Sequence, residues 1–218
     1  MMVSWKSAAA YQEKATIRRA TPDDADDFVE LMSLSAPTLL PAVYGPNVSA
    51  LLRSLFRHRG NLYSFEHSRF AVVEGRTAGL LLSYDSKTGK REELWTGVLL
   101  ARYLNVRLLP QVSAIMSTQS ALGHREEGYY TSNLAVYPEH QGHGVGTDLL
   151  TEAEAEARKL GRGRAVLDVE EENENARRLY ERLGYSAYGQ PKTIAAGGKT
   201  HRLLRMHKPI SMCAETAA

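Results

Sequence analysis

The sequence predicts an α/β or α+β fold built on one mixed sheet. β-prone apolar runs and amphipathic helical stretches interleave along the chain, and glycine or proline marks most of the junctions between them. At 218 residues the chain holds one domain with an insertion, not two full domains. That domain spans 16–208. It lies between a flexible N-terminal segment over 1–15 and a tail over 209–218.

Thr16-Ile17-Arg18-Arg19 reads as a first strand. Thr21-Pro22-Asp23-Asp24 then starts a helix, with Thr21 as cap, proline at the first position and acids facing the positive end. Ala25, Phe28, Val29 and Met32 form its apolar face. Residues 36–46, rich in proline and leucine, break the helix, and a second one follows over 48–57. Two β-prone runs, 70–73 and 78–84, flank Glu74-Gly75-Arg76-Thr77 and predict a hairpin. Residues 85–93 are charged and read as a loop, and 94–122 read as mostly helical, broken at Pro110. Together 85–128 form an insertion whose apolar residues (Trp95, Val98, Leu99, Tyr103, Val106 and Leu109) pack on the sheet or a second subunit, with an inner edge near substrate.

A strand over 129–136 leads through a proline turn and a glycine cluster into a helix over about 145–160, closed by Gly161. A short buried strand spans 165–169. Asn173 caps a helix with Ala176, Leu179, Tyr180 and Leu183 on one face, and Gly184 stops it. Residues 185–206 suggest two strands joined through Gly197-Gly198. The order is β-α-α-β-β-insertion-β-α-β-α-β-β.

Composition removes several classes of function. With 27 basic against 25 acidic side chains, no basic excess marks a nucleic-acid partner. The one cysteine, Cys213, excludes an internal disulfide and a cysteine-based zinc site, and no metal is expected. The N-terminal residues lack the apolar core of a signal peptide, and residues 94–109 are too short and too charged to span a bilayer. A cytoplasmic protein without membrane association is expected.

Gln141-Gly142-His143-Gly144-Val145-Gly146 lies between a strand and a helix. Alternate glycines let the backbone turn tightly and aim several N–H groups at one point, and the helix adds its positive end. Such a site favours a phosphate or pyrophosphate. The spacing matches neither a P-loop nor a dinucleotide fingerprint, and alone it reads first as a tight turn that binds nothing.

Two further features set it in context. Gln141, Gly144 and Gly146 fill the pattern [RQ]-x-x-G-x-[GA] after a strand and at a helix start. Asn173, Ala176 and Tyr180, followed by Leu183-Gly184-Tyr185, fill N-x-x-A-x-x-x-Y with its Leu-Gly-aromatic ending. In these elements the chain resembles the GNAT superfamily of N-acetyltransferases, closely over 129–185 and in element order over 17–206. The resemblance implies a mixed, mostly antiparallel central sheet flanked by helices, with a helical insertion before the cofactor-binding strand. It also implies acetyl-CoA as co-substrate. Backbone groups of Leu134, Ala135 and Val136 would pair with the pantetheine arm. N–H groups of Gln141, Gly142, His143, Gly144, Val145, Gly146 and Thr147 would hold the pyrophosphate. Asn173 would bond the cofactor's arm, and Tyr180 would serve as general acid to the departing thiolate.

Acyl transfer needs a carbonyl carbon held near a neutral nitrogen and a donor for the developing oxyanion, and Val136 N–H suits that donor. Glu127, with Glu126, is the candidate base, although both read first as solvated loop charges, and His124 as a surface histidine. Tyr130 stands where some relatives carry an acidic residue. Glu170-Glu171-Glu172 suits a solvated helix entry, or a cleft for a cationic acceptor. The expected reaction is acetyl transfer to a primary amine of a small molecule, peptide or protein in a ternary complex. An acyl-CoA-binding partner domain without turnover and a transferase of another acyl group fit the same motifs, as does a homodimer.

Overall fold

The computed structural model describes residues 14–104, 127–196 and 198–211. Its eight strands are β1 Thr16–Arg19, β2 Ser68–Val73, β3 Arg76–Asp85, β4 Tyr129–Val136, β5 Arg164–Glu170, β6 Ser186–Ala187, β7 Lys192–Ala196 and β8 Lys199–Pro209. Its α-helices are α1 Ala25–Ser35, α2 Leu39–Tyr44, α3 Val48–Arg57, α4 Ser86–Leu104, α5 Val145–Lys159 and α6 Glu174–Arg182. The strands form one sheet in the order β1-β2-β3-β4-β5-β8-β6, with β7 also on β8. Pairing is antiparallel throughout except between β4 and β5.

Alternation along the strands divides the core between the two faces. Phe70, Leu80 and Leu82 pack against Phe28, Met32, Leu52 and Phe56 of α1 and α3. Ala71, Ala78 and Leu81 pack against Leu149, Leu150 and Ala153 of α5. Phe28 and Phe56 stack at 4.3 Å, joining α1 to α3. The apolar face expected of α1 is buried in full. Before α1, Pro22–Asp24 forms one 3-10 turn, and Asp24 accepts hydrogen bonds from Thr21 N–H (2.7 Å) and from Arg18 (2.6 Å).

Three expectations change. Within 36–46 the chain forms α2, because Pro41 falls in the first turn, where no N–H is needed. The charged stretch after Asp85 is helical. Asp85 accepts from Lys87 N–H (2.9 Å) and Thr88 hydroxyl (2.7 Å), so it caps α4. α4 buries Thr96 and Leu100 against α3 and β3 and leaves Leu94, Trp95, Val98 and Tyr103 exposed. The remainder of the expected insertion, 105–126, lies outside the described residues, as do 1–13. Finally, the C-terminal region holds three strands, since β6 adds two residues to β8 before the β7–β8 hairpin. β8 runs to Pro209, and Ile210 is buried with its N–H on Gly163 O. No helix among the described residues is long and apolar enough to cross a membrane.

The feature that positions the site is the short parallel contact. β4 and β5 pair only through Tyr129↔Ala165, Tyr130↔Val166 and Thr131↔Leu167. Beyond them β4 stays on β3 as far as Val136, and β5 stays on β8 as far as Glu170. The sheet therefore opens between them. The split begins at a bulge, because Ser83 faces Thr131 while Leu82 faces Asn133, leaving Ser132 over.

Candidate active site

A cavity of about 500 Å³ occupies this split. Thr131, Asn133 and Leu134 line it from β4, and Asp168 and Glu170 from β5. Tyr180 of α6 closes one side and α2 the other. A gap of this kind leaves strand backbone unpaired, and its orientation follows from one bond. Tyr137 N–H donates to Ala78 O (2.9 Å), and Gly79 lies opposite Val136, Leu80 opposite Ala135. Bonded and non-bonded pairs alternate in an antiparallel ladder. The backbone of Ala135 is thus committed to β3, while the N–H and C=O groups of Leu134 and Val136 face the gap. The Val136 carbonyl is already met by Gln141 Nε2 at 2.9 Å, which leaves Val136 N–H as the open donor. Gly79 makes this tight pairing possible, since a Cβ there would lie 2.8 Å from Ala135 O.

The glycine loop continues from the end of β4. Gly142 and Gly144 have φ of 77° and 89°, the left-handed region that favours glycine, and a Cβ at either would meet nothing within 4 Å. Both are exposed, as are Gln141 and His143. Gly144 caps α5, and Asp148 N–H closes the first helical bond on Gly144 O (3.0 Å). The N–H groups of Val145, Gly146 and Thr147 are left without acceptors inside the helix. Gly146 serves packing instead: a Cβ would stand 3.2 Å from Leu179 Cδ2 of α6. The loop is thus an exposed turn beyond the end of β4 whose free N–H groups at the start of α5 have the geometry that suits an anion.

On α6, Asn173 Oδ1 accepts from Ala176 N–H at 3.1 Å, so one lone pair of the oxygen serves the cap, and Nδ2 can donate to a ligand. Tyr180 is 7 % exposed, and burial pushes its phenol up to about 12. It lines the cavity, and its hydroxyl has no hydrogen bond with the described residues.

The structure brings Leu134, Asn173 and Tyr180 to one cavity, with Val136 and the glycine loop continuing from its β4 wall. It does not bring Glu127 there. That residue is exposed before the opposite end of β4, seven positions from Leu134, or roughly 23 Å along an extended strand. Glu126 and His124 lie outside the described residues. Of the glutamate run, Glu170 and Glu172 line the cavity, while Glu171 pairs with Arg202 at 2.9 Å. Glu170 Oε1 is buried and 3.4 Å from His201 Nδ1, within ion-pair range but not hydrogen-bonded.

Sequence reasoning missed two groups. Asp168 takes two bonds from Arg205 (2.9 and 3.0 Å) and one from Tyr130 hydroxyl (3.2 Å), with its side chain almost fully buried. Burial, then the Asp168 charge, holds the Tyr130 phenol well above its ordinary value. A lone aspartate in the apolar strand Ala165-Val166-Leu167-Asp168-Val169 was a readable signal. The second group is Tyr44, Tyr63 and Tyr84, which line the cavity from three separate segments and share no sequence pattern. Among the described residues no cluster of three or more His, Cys, Asp or Glu is placed to hold a metal.

The same architecture recurs among known proteins. Residues 57–185 match the model of the acetyltransferase (GNAT) family. An acetyltransferase of Agrobacterium fabrum is 33% identical over 97 residues, which cover 44% of this chain and 68% of the relative. An N-acetyltransferase from Staphylococcus aureus Mu50 has the same fold, with a TM-score of 0.62 and 23% identity over 89% of this chain and all of that one. The Salmonella typhimurium protein yncA, solved with its cofactor acetyl-CoA, superposes with a TM-score of 0.57 at 20% identity, covering 94% and 96% of the two chains.

Proposed function

From the premise that the chain belongs to the acetyltransferase (GNAT) family, we propose that it transfers an acetyl group from acetyl-CoA to a primary amine. The observation that carries this reading is the split between β4 and β5. It presents unpaired strand backbone at Leu134 and Val136, an anion cradle beyond them and a phenol across the gap. The residues fit the co-substrate. The open space over Gly142 and Gly144 admits a pyrophosphate to the N–H groups of the loop and the first turn of α5. The edge of β4 offers the amide-rich pantetheine arm a strand to pair with.

In this reading the amine nitrogen attacks the thioester carbonyl carbon. A C–N bond forms, and Val136 N–H meets the charge that develops on oxygen. Collapse breaks the C–S bond and releases the thiolate beside Tyr180. A phenol near 12 gives up its proton reluctantly to a thiolate whose conjugate acid lies near 8.5. Tyr180 therefore acts first as a hydrogen-bond donor to sulfur. The amine's surplus proton goes to Glu170, the half-exposed carboxylate of the cavity, since Asp168 is held by Arg205. Release of free thiol from acetyl-CoA, measured with a panel of primary amines, tests the proposal. Calorimetric binding of acetyl-CoA without thiol release from any amine would leave a binding module in its place.

A further inference from the structure

The acceptor half of the cavity has a chemistry of its own, and its interpretation rests on the acetyl-transfer reading above. Four tyrosines line it: Tyr44 from α2, Tyr63 from the segment after α3, Tyr84 from β3 and Tyr130 from β4. Their rings are locked in pairs. Tyr44 and Tyr63 join hydroxyl to hydroxyl with rings edge-on at 6.1 Å, and the Tyr84 and Tyr130 rings lie 5.8 Å apart. Leu40 and Val43 extend this wall along α2. α2 in turn lies against β7, so the mouth of the split is bridged between the first helices and the C-terminal hairpin.

Beside the aromatic wall stand two carboxylates, Asp168, held by the Tyr130 hydroxyl and Arg205, and Glu170. The acceptor half therefore combines aromatic rings and aliphatic side chains with carboxylate oxygen. Aromatic faces attract ammonium groups and pack against other rings. A polyhydroxylated amine would set hydroxyls against Leu40, Val43 and the tyrosine rings, where each one left unpaired costs its desolvation. A peptide would need an open groove for its onward chain, where this structure has α2 against β7. We propose that the acceptor is a small primary amine carried on an apolar, preferentially aromatic, body. Its ring lies against Tyr44, Tyr63 and Tyr84, and its nitrogen points toward Glu170 beside the scissile thioester. The products are the N-acetylated amine and free thiol.

The test compares initial rates of the full chain with acetyl-CoA and four acceptors: 2-phenylethylamine, ethanolamine, kanamycin and tetra-alanine. The expected kcat/KM for 2-phenylethylamine exceeds each of the others by about tenfold or more, the scale of discrimination by an apolar pocket. Faster turnover of kanamycin or tetra-alanine overturns the substrate class and leaves acetyl transfer standing. No binding of acetyl-CoA by calorimetry overturns the underlying reading as well. Val43→Trp, which narrows the cavity from α2, is expected to raise KM for 2-phenylethylamine about tenfold with acetyl-CoA affinity unchanged. Leu39→Trp makes the same test from the rim if circular dichroism shows the first variant unfolded. An unchanged KM in a folded variant overturns the placement of the ring.

Discussion

Tyr180 shows how one side chain's surroundings sharpen its role. It lies on the buried face of a short helix, and desolvation alone raises its phenol to about 12. It therefore stays protonated at any working pH and contributes no alkaline limb to the rate profile. Replacing it by phenylalanine keeps the packing against Tyr185 (ring centroids 6.1 Å apart) and removes only the donor. Steady-state kinetics of Tyr180→Phe should show kcat down by about a hundredfold with both KM values little changed. Near-normal turnover would reduce Tyr180 to a core residue. Glu170 behaves differently, because it is half-exposed and its one ion-pair contact among the described residues is His201. Glu170→Gln should lower kcat/KM most below the amine's own pKa and recover as rising pH supplies neutral amine. A uniform loss across pH would argue for positioning in place of proton transfer.

Among the elements, the loop entering α5 and the start of α4 owe their shape to single residues. Gly144 holds φ 89° with space around it, so a side chain there meets no clash but incurs a left-handed backbone. That costs roughly 1–2 kcal/mol. Gly144→Ala is therefore expected to weaken acetyl-CoA binding by about fivefold to thirtyfold, as read by calorimetry. Unaltered affinity would mean that the cradle holds no phosphate. At α4, Asp85 caps the helix through Lys87 and Thr88 and also pairs with Arg162 at 3.0 Å. Asp85→Ala should lower the urea midpoint by the equivalent of about 1 kcal/mol. A shift near zero would show that the helix is held by Thr96 and Leu100 alone.

For the whole molecule, buried phenols and paired carboxylates set the pH range of stability. Burial holds Tyr84, Tyr129, Tyr130, Tyr180 and Tyr185 above the ordinary phenol value of 10.0. Above that value the unfolded chain sheds protons that the folded chain keeps, so stability falls as pH rises past 10. On the acid side, the Arg18 hydrogen bond lowers Asp24. At Asp85 and Glu92 burial pushes upward but is outweighed by bonds, from Thr88 and Lys87 at the first and from His67 and Arg91 at the second. Those contributions are present above the unfolded carboxylate values of 3.8 to 4.5 and are lost as pH falls through the lowered ones. Thermal melting between pH 3 and 11 should therefore show a plateau with a fall at each end. A melting temperature still rising past pH 10 would contradict the burial of the phenols.

Much of this was legible in the chain itself. The strand over 129–136, the glycine loop and the helix capped by Asn173 are local: caps, left-handed glycines and apolar periodicity act over a few residues, and adjacent residues record them. α4 was misjudged at its start because a charged run hides the cap that Asp85 supplies. The sequence alone therefore determined the mixed α/β alternation and the proposed cofactor end of the site, both built from short-range backbone geometry. Only the tertiary structure decided the proposed acceptor end. Tyr44, Tyr63, Tyr84 and Asp168 meet because the sheet opens after three parallel pairs and α2 crosses to β7. Contacts between residues so far apart in the chain arise from strand order and packing, which leave no periodic trace in the sequence.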